Sequence, residues 1–238
     1  LKKVGFDGLK ETYHAGKIYE EAGFLNREKF LTPVRAGKTA AELKIMKDSA
    51  KILYKAYRHM LAWLEPGVTE KQAAEELESF MRKNGASGTS FKTIVAFGPN
   101  AANPHYITGR TKLKKNMPVL MDYGCVYKDY CSDITRTFWF GDTPSEEFIK
   151  IFSIVKAAHD EVVKKARCGQ SGAEIDSIAR NYIQAAGYGK YFTHRTGHGI
   201  GMQIHEDACL SQDNTSMPIK ENYCFSVEPG IYIPGRIG

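Results

Sequence analysis

The chain has 238 residues, 42% hydrophobic and 25% charged, with a formal net charge of +6; this is ordinary globular composition, long enough for one large domain or two small ones. No apolar run approaches the ~20 residues needed to cross a bilayer, and the first residues, LKKVGFDGLKETYHAG, lack the apolar stretch and cleavage site of a secretory signal. Basic residues are interspersed with acids, and their densest cluster, Lys112, Lys114 and Lys115, falls in an expected hairpin loop, so the charge reads as a solvated surface rather than a nucleic-acid groove.

Residues 1–36 read apart from the rest, with one short helix in FDGLKETYHAGKIYEEAGF and a connector holding Pro33. Four capping boxes follow, each a Ser or Thr that takes the N3 amide while an acid or amide three residues on reaches back. They are Thr39 with Glu42, Thr69 with Gln72, Thr143 with Glu146, and Ser171 with Glu174; Pro144 would occupy the first position of the third helix. Helical spacing picks out Leu43, Met46, Ala50, Leu53, Tyr57 and Leu61 in the first and Ala73, Leu77 and Met81 in the second. It picks out Phe148, Ile151, Phe152, Val155 and Val162 in the third, and Ile175, Ile178, Ala179 and Tyr182 in the fourth. Strands are expected at 91–97, 119–126 and 130–140, the last two joined by a turn near Lys128 and Asp129, and at 192–196, 201–205 and 223–233. Helices and strands alternating in blocks predict an α+β domain with helices on one face of a curved sheet.

Four residues carry metal-type donors in this framework. Asp122 and Asp133 lie in LMDYGCVYKDYCSDITRTF, His198 in HRTGHGIG and Glu228 in FSVEPGIYIPG. Each alone has a plainer explanation. Asp122 could take a turn amide, Asp133 could pair with Arg136, a glycine-flanked His198 is more often a loop residue, and Glu228 before Pro229 could end a strand. Jointly, one such donor in each of four apolar strand contexts is a poor coincidence. Three carboxylates and an imidazole make a hard, oxygen-rich set suited to divalent ions that polarise a carbonyl and deprotonate water.

Competing motifs fail. His205-Glu206-Asp207 lacks the second histidine of a helical zinc protease, and Gly197, Gly199 and Gly201 are misspaced for a nucleotide loop. There is no GxSxG elbow. Five cysteines without CxxC spacing read as reduced thiols in a cytoplasm, with Cys125 and Cys131 as buried thiols rather than zinc ligands.

LMDYG with SDITRTF, HRTGHGIG with IHED, and VEPGIYIPG together resemble the pita-bread metallopeptidases, in particular the Xaa-Pro peptidase branch of aminopeptidase P and prolidase. The resemblance spans residues 37–238 and implies the creatinase/aminopeptidase fold, a curved antiparallel sheet covered by helices on one face. It implies two divalent ions, manganese foremost with cobalt, iron or zinc as alternatives, held by Asp122, Asp133, His198 and Glu228. Asp133 would bridge the ions, and Glu228 would also act as general base. His105 in NPHY matches the family histidine near the substrate amine and scissile amide. His194 and His205 match the pair that contacts the substrate carbonyl and the tetrahedral intermediate. Residues 1–36 resemble the end of a smaller N-terminal domain and its linker, and 37–238 a catalytic domain whose final glutamate, in an R-I-E-D motif, would lie beyond Gly238.

The expected activity is removal of an N-terminal residue preceding proline by a hydroxide bridging two ions. The expected setting is a cytoplasmic homodimer whose partner is a peptide with proline in second position, with neither nucleic acid nor membrane. Methionine aminopeptidase is the runner-up, sharing fold and ligands. A non-catalytic pita-bread binding module and a metal-free creatinase-like hydrolase come after it, because the metal-type residues are retained.

Overall fold

The computed structural model describes residues 4–8, 11–28 and 31–238. The leading segment holds β1 (Gly5–Phe6), α1 (Tyr13–Glu21), β2 (Leu25–Asn26) and α2 (Thr32–Ala36), with β1 and β2 paired in parallel. Helix α1 is the expected short helix, capped by the Thr12 side chain, and it buries none of its residues. Leu9 and Lys10 of the same stretch lie outside the described residues. Pro33 opens α2 instead of lying in an extended connector, because its fixed φ suits a first helical turn and its missing N–H is not needed there.

Helices α3 (Ala40–Trp63) and α4 (Glu70–Lys83) start at the expected capping boxes of Thr39 and Thr69. Ala73, Leu77 and Met81 are buried as read. In α3 Leu53 is buried as read and Tyr57 packs at the core's edge, but the rest of the inward face is Ser49, Ile52, Ala56 and Met60, while Ala50 is exposed and Leu61 is 49% exposed. The face is turned by polar contacts that an apolar count cannot register. Ser49 Oγ donates to Ser132 Oγ at 2.7 Å, and the Tyr123 hydroxyl donates to the Leu53 carbonyl at 3.0 Å.

Next come β3 (Gly88–Thr89), β4 (Ile94–Phe97), a 3₁₀ turn (Gly98–Ala102), β5 (Met117–Tyr123), β6 (Cys125–Tyr127), β7 (Tyr130–Cys131) and β8 (Ile134–Phe140). They form two three-stranded antiparallel sheets, β4-β5-β8 and β3-β6-β7. The predicted turn is present, with Lys128 and Asp129 at φ 48° and 67°, the left-handed pair that tight hairpins require. Each of the two long strands expected here is split. A Cβ at Gly124 would fall 2.1 Å from both the Ser132 carbonyl oxygen and the Ser90 hydroxyl, so only glycine lets the hairpin fold over at that point. Alternation sends Val95, Phe97, Val119, Met121 and Tyr123 into the core shared with α3 and α4. Ala96 and Leu120, in register, pack on the opposite face. Asp122 shares that second face, opposite Ile94 and Thr135.

Helices α5 (Glu146–Lys165) and α6 (Gly172–Ala185) and strands β9 (Gly197–Gly199) and β10 (Glu206–Leu210) surround a second core that includes Phe148, Ile151, Val162, Ile175, Ile183 and Ile231. Helix α6 has the expected Ser171 box, but α5 is capped by Ser145 and not Thr143. Starting there puts Glu146 and Glu147 in the first turn, where the helix dipole favours acids, and brings Phe148 onto Trp139. Phe152 and Tyr182, read as core, are 43% and 41% exposed. Residues 192–196 and 201–205 are not strands; the ladder runs through β9 and β10. Arg180 takes the carbonyls of Phe192 and His194, which removes them from a ladder. Residues 223–233 form no named strand, but their first half runs antiparallel beside β9, with Ile200 N–H to Cys224 O, Ser226 N–H to His198 O and Glu228 N–H to Thr196 O. The whole is the α+β arrangement of helices packed on antiparallel sheets.

Candidate active site

Two antiparallel pairings build the site, each presenting two donors as diagonal neighbours. On β5 and β8, Asp122 sits opposite Thr135, and Asp133 precedes Thr135 by two residues, hence on the same face. Thr135 Oγ1 donates to Asp122 Oδ1 at 3.0 Å. In the second pairing His198 lies opposite Ser226, and Glu228 is two residues further along the same face. Ser226 Oγ donates to Glu228 Oε1 at 2.7 Å and accepts from the His198 N–H at 3.0 Å.

The two faces meet at His198. Its Nε2 lies 3.3 Å from Asp133 Oδ2 and 3.2 Å from Glu228 Oε1, with the imidazole 5% exposed. Nδ1 is 3.0 Å from the Gly199 carbonyl oxygen; an oxygen that only accepts requires N–H there, so Nε2 is the nitrogen aimed at the carboxylates. The flanking glycines serve backbone approach. A Cβ at Gly197 would meet the Ser226 carbonyl oxygen at 1.9 Å, and one at Gly199 the backbone of residues 206 and 208 at 2.9 Å. Arg136, the alternative partner of Asp133, turns out to the Thr135 carbonyl and the Tyr57 ring.

The electrostatics are those of anions gathered out of water. Asp122 is held well above the carboxylate range by burial first, then by the neighbouring Asp133 charge. Burial likewise raises Glu228. Burial opposes protonation of His198, but the hydrogen bond to Asp133, the Gly199 carbonyl and the Glu228 charge outweigh it and raise its pKa. Among the described residues no group of three or more His, Cys, Asp and Glu side chains stands close enough together to hold a metal ion. The donor chemistry nevertheless fits divalent ions. Two donors each about 2.1 Å from one ion stand roughly 3.0–3.4 Å apart at ordinary coordination angles, and Thr135, Ser226 and the Gly199 carbonyl fix the side chains of Asp122, Glu228 and His198.

Three of the six other histidines, His105, His194 and His205, sit around this cluster. The His205 ring stands edge-on to His198, centroids 4.4 Å apart, on an exposed bend, and burial lowers its pKa. It does not bond Glu206, which turns away to Lys38 and Arg35. Burial lowers the His194 pKa; its Nδ1 lies 2.8 Å from the Arg195 carbonyl oxygen, which needs N–H there, so Nε2, 3.0 Å from the Tyr232 hydroxyl, is the acceptor. His105 is exposed on the loop after the 3₁₀ turn, near enough to His194 for their charges to interact. Tyr232 escaped the sequence reading as a site residue. Burial raises its pKa, and the charges of Asp122 and Glu228 add to the effect; its place inside EPGIYIPG, two residues beyond Gly230, was the available signal.

Residues 44–238 match metallopeptidase family M24. The chain belongs to that family. Its fold is the family's pita-bread fold, with a TM-score of 0.93 to an Xaa-Pro dipeptidase of Bacillus anthracis, at 40% identity over 99% of this chain and 66% of that one. A prolidase of Pyrococcus furiosus gives 0.92 at 34% identity, covering 99% of this chain and 70% of that one. An X-Pro aminopeptidase of Thermotoga maritima gives 0.90 at 35%, covering 100% and 68%. Among sequence relatives, an uncharacterized peptidase of Bacillus subtilis is 37% identical over 98% of this chain and 67% of its own length. One from Staphylococcus haemolyticus is 41% identical over 84% of this chain and 57% of its own length. This M24 chain thus spans between 57% and 70% of the length of these relatives.

Proposed function

We propose that this M24 chain carries the catalytic centre of a metal-dependent exopeptidase that hydrolyses the bond between an N-terminal residue and a following proline. The observation that carries the reading is His198 Nε2 set between the carboxylates of Asp133 and Glu228. Asp122, Asp133, His198 and Glu228 would hold two divalent ions, with Asp133 shared and manganese the first choice over cobalt, iron or zinc. Bound there, the ions would activate water at neutral pH and polarise the scissile carbonyl.

The chain's own groups do the remaining work. Glu228, steadied by Ser226 and raised in pKa by burial, takes a proton from the attacking water and returns it to the leaving nitrogen. His205, edge-on to His198, donates to the developing oxyanion. His194 acts with Tyr232, the pair sharing one proton beside Asp122 and Glu228. His105, on its exposed loop, meets the substrate amine. The names of the three solved neighbours support proline-directed specificity. The five free cysteines support a reducing, cytoplasmic setting, and a homodimer rests on the resemblance alone. Residues 1–36 are read as the end of a smaller domain with its linker, and 37–238 as the catalytic domain.

The test is metal analysis of the purified protein with hydrolysis of a peptide bearing proline in second position and of a Met-Xaa peptide, each with manganese, cobalt, iron and zinc. Metal-dependent preference for the proline peptide is the expected result. Preference for the Met-Xaa peptide refutes the reading, as does no hydrolysis with any ion by a protein that carries this chain together with the R-I-E-D glutamate expected beyond Gly238.

A further inference from the structure

His205 faces the reacting centre without a hydrogen bond of its own among the described residues; its ring contact is the edge of His198. Its position is therefore set by the backbone of residues 201–205, a run of bends that ends where Glu206 enters β10. That run is gripped at its start by Cys131, whose N–H donates to the Gly201 carbonyl at 2.7 Å and whose thiol contacts the Met202 carbonyl. It is gripped at its end by Glu206, the residue beside His205.

Glu206 is held in an unusual way. Its carboxylate receives Lys38 Nζ at 2.7 Å, with side chains 2% and 6% exposed, and the more exposed Arg35 Nη2 at 3.0 Å. Oε1 also receives the Gln203 N–H, closing the bend on itself. The carboxylate lies over Gly201, where a Cβ would come within 2.7 Å of it. Lys38 has a second attachment: its backbone N–H donates to the Asn222 carbonyl at 3.0 Å, next to the bridge between Gly37 and Tyr223. One lysine thus joins the His205 bend to the segment that runs on to Ser226 and Glu228. A buried ion pair is a weak source of stability beside an apolar pair of equal volume, so what this one supplies is fixed geometry.

We propose that the Lys38–Glu206 pair is a positioning device that fixes His205 against His198, with Lys38 and Glu206 as positioning residues. This rests on the reading of His205 as the oxyanion donor. The experiment compares the full chain with Lys38→Met/Glu206→Leu, which removes both buried charges together, and with Lys38→Arg, which restores the ion pair. The first readout needs no activity: amide hydrogen exchange of 201–206 should rise about tenfold or more in the double variant, with α3 and α4 unchanged, and return in Lys38→Arg. The second is a cycle with His205→Ala. In the native background the double variant should lower kcat on a proline peptide about tenfold with KM held, the scale of a small misplacement. In the His205→Ala background it should lower it no further. Unchanged exchange at 201–206, or an equal loss of kcat in both backgrounds, overturns the proposal. Should a protein that carries this chain together with the R-I-E-D glutamate hydrolyse neither proline nor Met-Xaa peptides, the functional reading falls, and hydrogen exchange alone decides whether the pair holds the bend.

Discussion

Glu70→Gln perturbs the packing beneath the His105 loop in a way whose cost follows from the geometry. The Glu70 side chain is fully buried in the first turn of α4. Oε1 accepts from Phe97 N–H and Asn100 Nδ2, both at 2.8 Å; Oε2 accepts from the Tyr106 hydroxyl at 2.9 Å and Gly109 N–H at 3.2 Å. A glutamine keeps one oxygen. With that oxygen at the Oε1 position, its NH₂ faces Tyr106, which can rotate to accept, and Gly109 N–H, which cannot. The remaining bonds to Phe97 and Asn100 lose their charge assistance. A hydrogen bond to a charged group contributes about 1.5–3 kcal/mol, and an unpaired buried donor costs about 1–3 kcal/mol. The change should therefore destabilise by roughly 3–5 kcal/mol, a large share of the 5–15 kcal/mol typical of a domain. Urea denaturation of both proteins measures it as a shift in midpoint at constant slope. KM for a proline peptide should rise as well, because the loop that carries His105 loses its anchor. A loss below about 1 kcal/mol would refute the claim that this carboxylate organises the loop.

Asp133→Asn should abolish binding of both manganese ions together, since an amide cannot bridge two cations; calorimetric titration checks this, and two retained ions with near-normal turnover would remove the bridging role. His205→Ala should lower kcat by roughly a hundredfold, the scale of one oxyanion donor, with metal content intact; loss of metal would make His205 a ligand. Glu42 has its pKa lowered to about 2, chiefly by the Thr39 side chain and then Tyr130. Its stabilisation is therefore present above the ordinary glutamate pKa and lost as pH falls towards 2. The stability gap between the native chain and Glu42→Gln should close between about pH 5 and pH 2, and a gap constant over that window in thermal melts would contradict the assignment.

The sequence alone determined the features that live within a few residues. Three of four helix starts follow from capping boxes, because the cap bonds are local. The turn at Lys128 and Asp129 follows from short-range patterning, and the motifs around Asp122, Asp133, His198 and Glu228 were distinctive enough to mark the family. The Thr143 box read for α5 failed: the helix starts at Ser145, with Phe148 packed on Trp139. The rest needed tertiary structure for one physical reason: contacts between distant segments override local preference. The inward face of α3 turned to satisfy Ser49 and Tyr123, and the carbonyls of 192–194 went to Arg180 instead of a strand partner. The glycines on either side of His198 make room for neighbouring backbone, which no local pattern announces. Only the folded chain brings His198 between Asp133 and Glu228, sets Tyr232 on His194, and ties Lys38 to Glu206 across 168 residues of sequence.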